Sequence, residues 1–209
     1  MEYYSQCGEQ KYLLEYFEGI TGRFLDIGAY DGKNLSNTRA LYELGWTGVC
    51  VEPSPLGFTK LQDLYKNDSN MILIQKALST INGQADFYEG YQKIEDGIDI
   101  GNACSTLNKE NVKFWEERGL AFKTIQVTTI DWNHLLDKTG TDFKFINIDI
   151  EGTSLEALRN MPLPRLPYLE CICIEHDYKF QDLMQYALET GLFGMKITAC
   201  NVIMMKDRK

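Results

Sequence analysis

The feature that most constrains this chain is an alternation of short apolar runs with helical patterns, interrupted by a glycine-bounded turn, FLDIGAYDG, at 24–32. Residues 10–18 (QKYLLEYFE) read as an amphipathic helix, and 23–27 (RFLDI) as a short buried strand that ends in the turn. A helix is expected from about Ser36 to Leu44, stopped by Gly45, followed by a strand at 47–52 (TGVCVE). Ser54-Pro55 has the form of an N-cap with proline at the first helical position, opening a helix to about Tyr65 before a strand at 71–75 (MILIQ). Strand, helix, strand, helix, strand in this order predicts a parallel sheet with crossover helices. The pattern resumes with strand 144–150, helix 153–160, strand 168–175, helix 180–190 and two strands within 195–206 that meet near Cys200-Asn201. Between the two halves, Ala77 to Glu89 predicts a hairpin turning at Asn82-Gly83, followed by an irregular run at 90–106, a helix at 109–118 and a strand at 122–128. A long irregular connection inside a compact domain is a common form of lid. The expected organisation is one α/β domain, 1–209, with an inserted hairpin, loop and helix region at about 78–128.

A strand ending in glycines ahead of a helix lets the backbone turn sharply and approach a ligand without Cβ atoms in the way. In open α/β sheets, ligands lie outside the carboxyl ends of the strands. The turn lacks the G-x-G-x-x-G of a dinucleotide site, because Tyr30 stands at the second glycine, and the G-x-x-x-x-G-K-[ST] pattern of a phosphate loop is absent as well. Asp26 and Asp31 flank it; two carboxylates repel a pyrophosphate but suit a cationic ligand without phosphate. S-adenosylmethionine, with an ammonium, a sulfonium and a neutral adenosine, has that character. Glu52, at the end of the second strand, is positioned to accept both hydroxyls of a ribose.

Acidic residues outnumber basic ones 30 to 21, for a net charge of −9, which argues against a chain built to grip nucleic-acid phosphates or anionic lipid. No apolar run approaches the roughly 20 residues that cross a bilayer, and the first 19 residues lack the form of a secretory signal. A soluble, cytoplasmic chain is expected, with small-molecule or carbohydrate partners and neither nucleic acid nor membrane. Of the six cysteines, Cys50, Cys171, Cys173 and Cys200 lie in apolar runs, and the expectation for the set is reduced, structural thiols. The C-x-C at 171–173 has no second pair at zinc-finger spacing.

Taken together, residues 24–55 (FLDIGAYDGKNLSNTRALYELGWTGVCVEPSP) and 145–158 (FINIDIEGTSLEAL) resemble the FkbM-type family of S-adenosylmethionine-dependent methyltransferases. The markers are DIGAxDG, the triplet Ser36-Asn37-Thr38, the LGWxG turn, the strand-terminal Glu52-Pro53 and IDIEG, with looser echoes at 127–136 and at Ile174-Glu175-His176. The resemblance implies a class I methyltransferase fold: Rossmann-like, three-layered, with a mostly parallel seven-stranded sheet and a C-terminal antiparallel hairpin strand. It implies S-adenosylmethionine held by Asp26, Gly28, Tyr30, Asp31, Gly32, Glu52 and Pro53, with Ala77 and Leu78 beside the adenine, Asn37 near the methionine carboxylate and Asp149 near the reacting methyl. The sequence departs from the family's commoner form at Asn147, where a lysine or serine is frequent, and at Thr153-Ser154.

Family members mostly methylate hydroxyl oxygens, so the implied reaction is O-methylation of a sugar or related metabolite. The alternatives are a cofactor-binding protein of the same fold without activity and, remotely, a nicotinamide-dependent dehydrogenase. An alcohol acceptor must lose a proton, which invites a base or a metal. His176, Asp149 and Glu175, at two adjacent strand ends, are the candidate catalytic residues. A divalent cation held by Asp149, Glu175 and Asp177 is a less favoured alternative. Glu151 is expected to turn the chain into the next helix, and His134 to be a surface or packing residue. Ser105-Thr106 is a candidate closure over the ligand, and Tyr88, Tyr91, Phe114 and Trp115 are candidates for an acceptor pocket.

Overall fold

The computed structural model describes residues 2–91, 94–95 and 98–207. Residues 92–93 and 96–97, part of the irregular run, lie outside the described residues. In chain order the first half comprises α1 (Glu9–Tyr16), β1 (Arg23–Ile27), α2 (Arg39–Glu43), β2 (Thr47–Val51), α3 (Pro55–Tyr65) and β3 (Met71–Ile74). The middle comprises β4 (Ala77–Leu78), β5 (Gly83–Tyr91), β6 (Ile94–Glu95), β7 (Ile98–Asp99), α4 (Ile100–Ala103), α5 (Lys109–Glu116) and β8 (Ala121–Ile130). The last part comprises α6 (Trp132–Thr139), β9 (Phe145–Ile148), α7 (Ser154–Arg159), β10 (Cys171–Glu175), α8 (Phe180–Thr190), β11 (Gly194–Ile197) and β12 (Asn201–Met205).

Seven strands form one sheet in the order β3-β2-β1-β9-β10-β12-β11. Only β12 opposes the rest, since it pairs antiparallel with both β10 and β11. The sheet is covered on both faces, and period-2 alternation along β1 shows how. Leu25 and Ile27 face one way, into a core completed by Leu135 and Leu136 of α6, Leu155 and Leu158 of α7 and Leu183 of α8. Phe24 faces the other way, with Leu13 of α1, Leu41 of α2 and Phe58 and Leu61 of α3. Burying a large apolar side chain contributes about 1.5–3 kcal/mol, so the two cores dominate the stability.

The predicted hairpin at 77–89 is not formed. β8, ten residues long, lies between β4 and β5, pairing parallel with β4 and antiparallel with β5 in a second, three-stranded sheet. β8 offers ladder positions on both edges, so the turn residues are drawn to it: the Asn82 amide donates to Asp131, the N-cap of α6, instead of closing a two-residue turn. The helix after the glycine turn starts at Arg39, later than expected, because the Ser36 hydroxyl accepts from the N–H groups of Thr38 and Arg39.

Cys50, Cys104, Cys171 and Cys173 are free and buried, as expected for small hydrophobes. Cys200 is not: it is bonded to Cys7 across 193 residues. It sits outside the ladder, between β11 and β12, where the segment before α1 runs alongside. Glu9, fully buried, fastens the same junction by accepting from the Thr198 hydroxyl, the Asn201 amide and the Cys7 N–H.

Candidate active site

β1, β2, β9 and β10 end together, and the turns that leave them build the site. The Gly28 N–H donates to the carbonyl of Val51, drawing the first turn over the end of β2. Gly28 has φ +85°, and a Cβ on it would fall 1.7 Å from the Asp149 carbonyl oxygen, so only glycine fits between the β1 and β9 ends. Gly32 has φ +75° and packs where a Cβ would strike Leu61 of α3.

Two clefts open over these strand ends. The first is lined by Gly28 and Tyr30 of the turn, Glu52 and Pro53 after β2, Ala77 and Leu78 of β4, and Asp149 and Ile150 after β9. Its roof comes from the middle of the chain: Phe87, Asn102, Ala103, Ser105 and Leu107. The backbones of Tyr88 and Thr106 exchange two hydrogen bonds of 2.8 and 3.0 Å, which hold the roof segment against β5. Glu52 anchors the floor. Its carboxylate accepts from the N–H groups of Tyr30, at 2.8 Å, and Ser54, at 2.7 Å, yet burial pushes its pKa up to about 8.

The second cleft is a cavity of about 730 Å³ that meets the first at Gly28, Tyr30, Ala103 and Asp149. Asp149, Glu151, Glu175 and Asp177 line it, with Phe114, Trp115 and Tyr178 among its aromatic residues. Tyr30, Leu35, Glu151, Asp177 and Tyr178 are the non-glycine residues with positive φ among the described residues, and all five line this cavity. Left-handed backbone costs an L-residue about 1–2 kcal/mol, and strain of this kind collects at functional sites.

Behind the cavity lies a buried polar chain that accounts for the Ser36-Asn37-Thr38 triplet. The Thr38 hydroxyl donates to one Asp26 oxygen at 2.6 Å and the Asn147 amide donates to the other at 2.8 Å, while Asn37 donates to Asn147. Asp26 lines the cavity with both oxygens engaged, and burial raises its pKa in spite of these donors. Asn147 is thus the partner of Asp26. The Asn37 side chain faces that chain, and Asp31 accepts from the N–H groups of Lys33 and Asn34 to close its own turn. Asp31, Gly32 and Asn37 line neither cleft.

His176 lines the second cavity, but both ring nitrogens are occupied. Nδ1 accepts from the Tyr178 N–H at 3.1 Å, which makes Nε2 the donor to the Ala199 carbonyl at 3.0 Å. The ring therefore ties the end of β10 to the β11–β12 junction, with both nitrogens engaged by these backbone groups. Asp149 and Glu175 do come together, and the third acid of their group is Glu151, not Asp177, whose carboxylate turns to Lys179 at 3.5 Å. Glu151 is steered from α5, which carries no local signal of it: Trp115 Nε1 and Asn111 Nδ2 both donate to its Oε2. Burial raises the pKa of Asp149 to about 7, of Glu151 to about 8, and of Glu175 well above its usual value; the charges of Asp26 and Asp177 add to the shift of Asp149, and that of Asp149 adds to the shifts of Glu151 and Glu175. Ser105 lines the first cleft and Thr106 bonds the Glu151 carbonyl; Phe114 and Trp115 line the second cavity, whereas Tyr88 and Tyr91 line neither.

The strand order, the lone antiparallel β12 and a cleft over the β1 and β2 ends that presents a strand-terminal acid define a class I methyltransferase. The chain belongs to the FkbM methyltransferase family, whose domain matches residues 26–189. No curated protein sequence matches it. Among solved structures it is similar to the ribosomal protein L11 methylase of Lactobacillus delbrueckii subsp. bulgaricus, at 11% identity and a TM-score of 0.49 over 95% of this chain and 78% of that one. It is likewise similar to the precorrin-6y C5,15-methyltransferase of Geobacter metallireducens GS-15, at 10% identity and a TM-score of 0.47 over 95% and 87%. These likenesses are distant, and the fold assignment rests on the strand order. No helix among the described residues is long and apolar enough to cross a membrane.

Proposed function

We propose that this chain transfers a methyl group from S-adenosylmethionine to a hydroxyl oxygen of a sugar or related small metabolite. The observation that carries the reading is the junction of the two clefts at Gly28, Tyr30, Ala103 and Asp149. A cofactor whose adenosine fills the first cleft has its sulfonium at that junction and its methyl directed at the second. Glu52 is the acceptor for the ribose hydroxyls, and Leu78, Phe87, Leu107 and Ile150 supply apolar surface for the adenine. Asp149 marks the sulfur end. A carboxylate facing a cationic group contributes about 1.5–3 kcal/mol when shielded from water.

Methyl transfer breaks the S–CH₃ bond and forms an O–CH₃ bond; the acceptor proton leaves and the cofactor departs as a neutral thioether. Alignment is the main requirement, and fixed orientation in such reactions reaches about 7–11 kcal/mol. The walls of the second cavity support an acceptor that is not a polyanion. Asp26, Glu110, Asp149, Glu151, Glu175 and Asp177 line it against Lys179 alone among described lysines and arginines. Phe114 and Tyr178, 40% and 84% exposed, provide flat apolar faces of the kind on which sugar rings stack. A polyanion such as a nucleic acid does not suit this lining. The four free buried thiols support a cytoplasmic location; the Cys7–Cys200 bond is the observation against it.

The test is methyl transfer from labelled S-adenosylmethionine to a panel of sugars, glycosides, polyols, amines and oligonucleotides. The reading expects label in an ether on a hydroxylated small molecule. Label confined to amines or oligonucleotides would overturn the acceptor class.

A further inference from the structure

The acid group at the junction carries an arrangement that cofactor binding alone does not account for. Asp149, Glu151 and Glu175 each present a carboxylate oxygen within 4.8 Å of the other two, the one such group among the described residues. It arises because β9 and β10 run parallel and in register at Ile148 and Ile174, so the next residues, Asp149 and Glu175, leave adjacent strand ends side by side. Glu151 is swung back toward them by its left-handed backbone, φ +48°, and fixed there by Trp115 and Asn111 on Oε2.

A second observation points to a ligand. Glu175 Oε2 is sealed from solvent and has no hydrogen-bond partner. No lysine or arginine pairs with any of the three acids among the described ion pairs; the neighbouring Lys179 pairs with Asp177. Buried carboxylates are ordinarily paired or bound to a metal, and an acid sealed without either is costly.

We propose that Asp149, Glu151 and Glu175 bind one divalent cation of the hard, oxygen-seeking class: Mg²⁺, Mn²⁺ or Ca²⁺. An all-carboxylate set selects these ions over zinc or copper, which favour nitrogen and sulfur. Trp115 and Asn111 act one step out, orienting a ligand as outer partners of metal sites do. Resting on the methyl-transfer reading, the ion has a role there as well: open to the second cavity, it takes the acceptor hydroxyl as a further ligand and holds that oxygen against the methyl. The binding claim stands on the three acids by themselves.

The test is titration of the purified chain with Mn²⁺, following free ion by electron paramagnetic resonance, with Mg²⁺ and Ca²⁺ as competitors and with Glu175→Gln, Glu151→Gln and Trp115→Phe as variants. The site predicts one saturable Mn²⁺ per chain, displaced by Mg²⁺ or Ca²⁺ and raising the melting temperature of the wild type. Each Gln variant should weaken it at least tenfold. Trp115→Phe, which alters no ligand, should weaken it less, and it keeps the test decisive where a Gln variant fails to fold. No saturable binding, with and without S-adenosylhomocysteine, would overturn the proposal, as would affinity unchanged in all three variants. Mn²⁺ binding without any binding of S-adenosylhomocysteine would sink the methyl-transfer reading while leaving the ion site intact.

Discussion

The backbone carbonyl of Asp149 occupies the space a β-carbon on Gly28 would need, at a separation of 1.7 Å. The ends of β1 and β9 are thereby in direct backbone contact, and the junction of the two clefts has its shape from that contact. Gly28→Ala must move one of the two turns and also place alanine at φ +85°, a strain of about 1–2 kcal/mol before any displacement. The variant should lose at least tenfold in affinity for S-adenosylhomocysteine and melt several degrees lower. Wild-type behaviour in both measurements would show that the β1 and β9 turns are not held in contact.

Asp26 joins fold and site, and two substitutions separate those roles. Asp26→Ala leaves the buried Thr38 hydroxyl and Asn147 amide without an acceptor, at a cost of about 1–3 kcal/mol each. Asp26→Asn can still accept from Asn147 and donate to the Thr38 oxygen while removing a buried charge. Chemical denaturation should find the alanine variant clearly destabilised and the asparagine variant within about 1 kcal/mol of wild type. Equal stability of the two would contradict the buried chain.

Glu52 predicts a pH dependence. Burial, with Asp26 and Glu89 nearby, raises its pKa from 4.5 to about 8. Between those values the folded chain holds a proton that the unfolded chain lacks, so unfolding free energy falls as pH rises through the window. The ligand-free chain should melt higher at pH 6 than at pH 9. A melting temperature that climbs across that range would contradict a buried, ligand-free Glu52.

The Cys7–Cys200 bond closes nearly the whole chain, and cross-links of this kind contribute about 2–4 kcal/mol. Thiol titration in denaturant without reductant should find the four free cysteines, and dithiothreitol or Cys7→Ser should lower the melting temperature. Six reactive thiols and no response to dithiothreitol would show the pair to be open.

What the sequence disclosed follows from how local each signal is. The glycine turn and the acid ending β2 were legible because turn chemistry and strand length act within a few residues. The hairpin expected at 77–89 failed because β8, some 40 residues away, competes for both strands, and nothing local announces a competitor. The roof over the first cleft was missed at Phe87 and Asn102 for the same reason. His176 is a candidate base because histidine at a strand end is chemically suited to it; its hydrogen bonds with the Tyr178 N–H and the Ala199 carbonyl depend on backbone geometry that the sequence does not announce. Asp177 looked like the third acid of its group until the reversed backbone at Glu151 brought a different carboxylate round.

The central claim is that the cleft over β1 and β2 holds S-adenosylmethionine with Glu52 at its ribose. Calorimetric titration with S-adenosylhomocysteine, in the wild type and in Glu52→Ala, tests it most directly. One site per chain is expected in the wild type, weakened at least tenfold, or about 1.4 kcal/mol, by the substitution, with no binding of NAD to either. Absence of binding in the wild type, or equal affinity in Glu52→Ala, would contradict it.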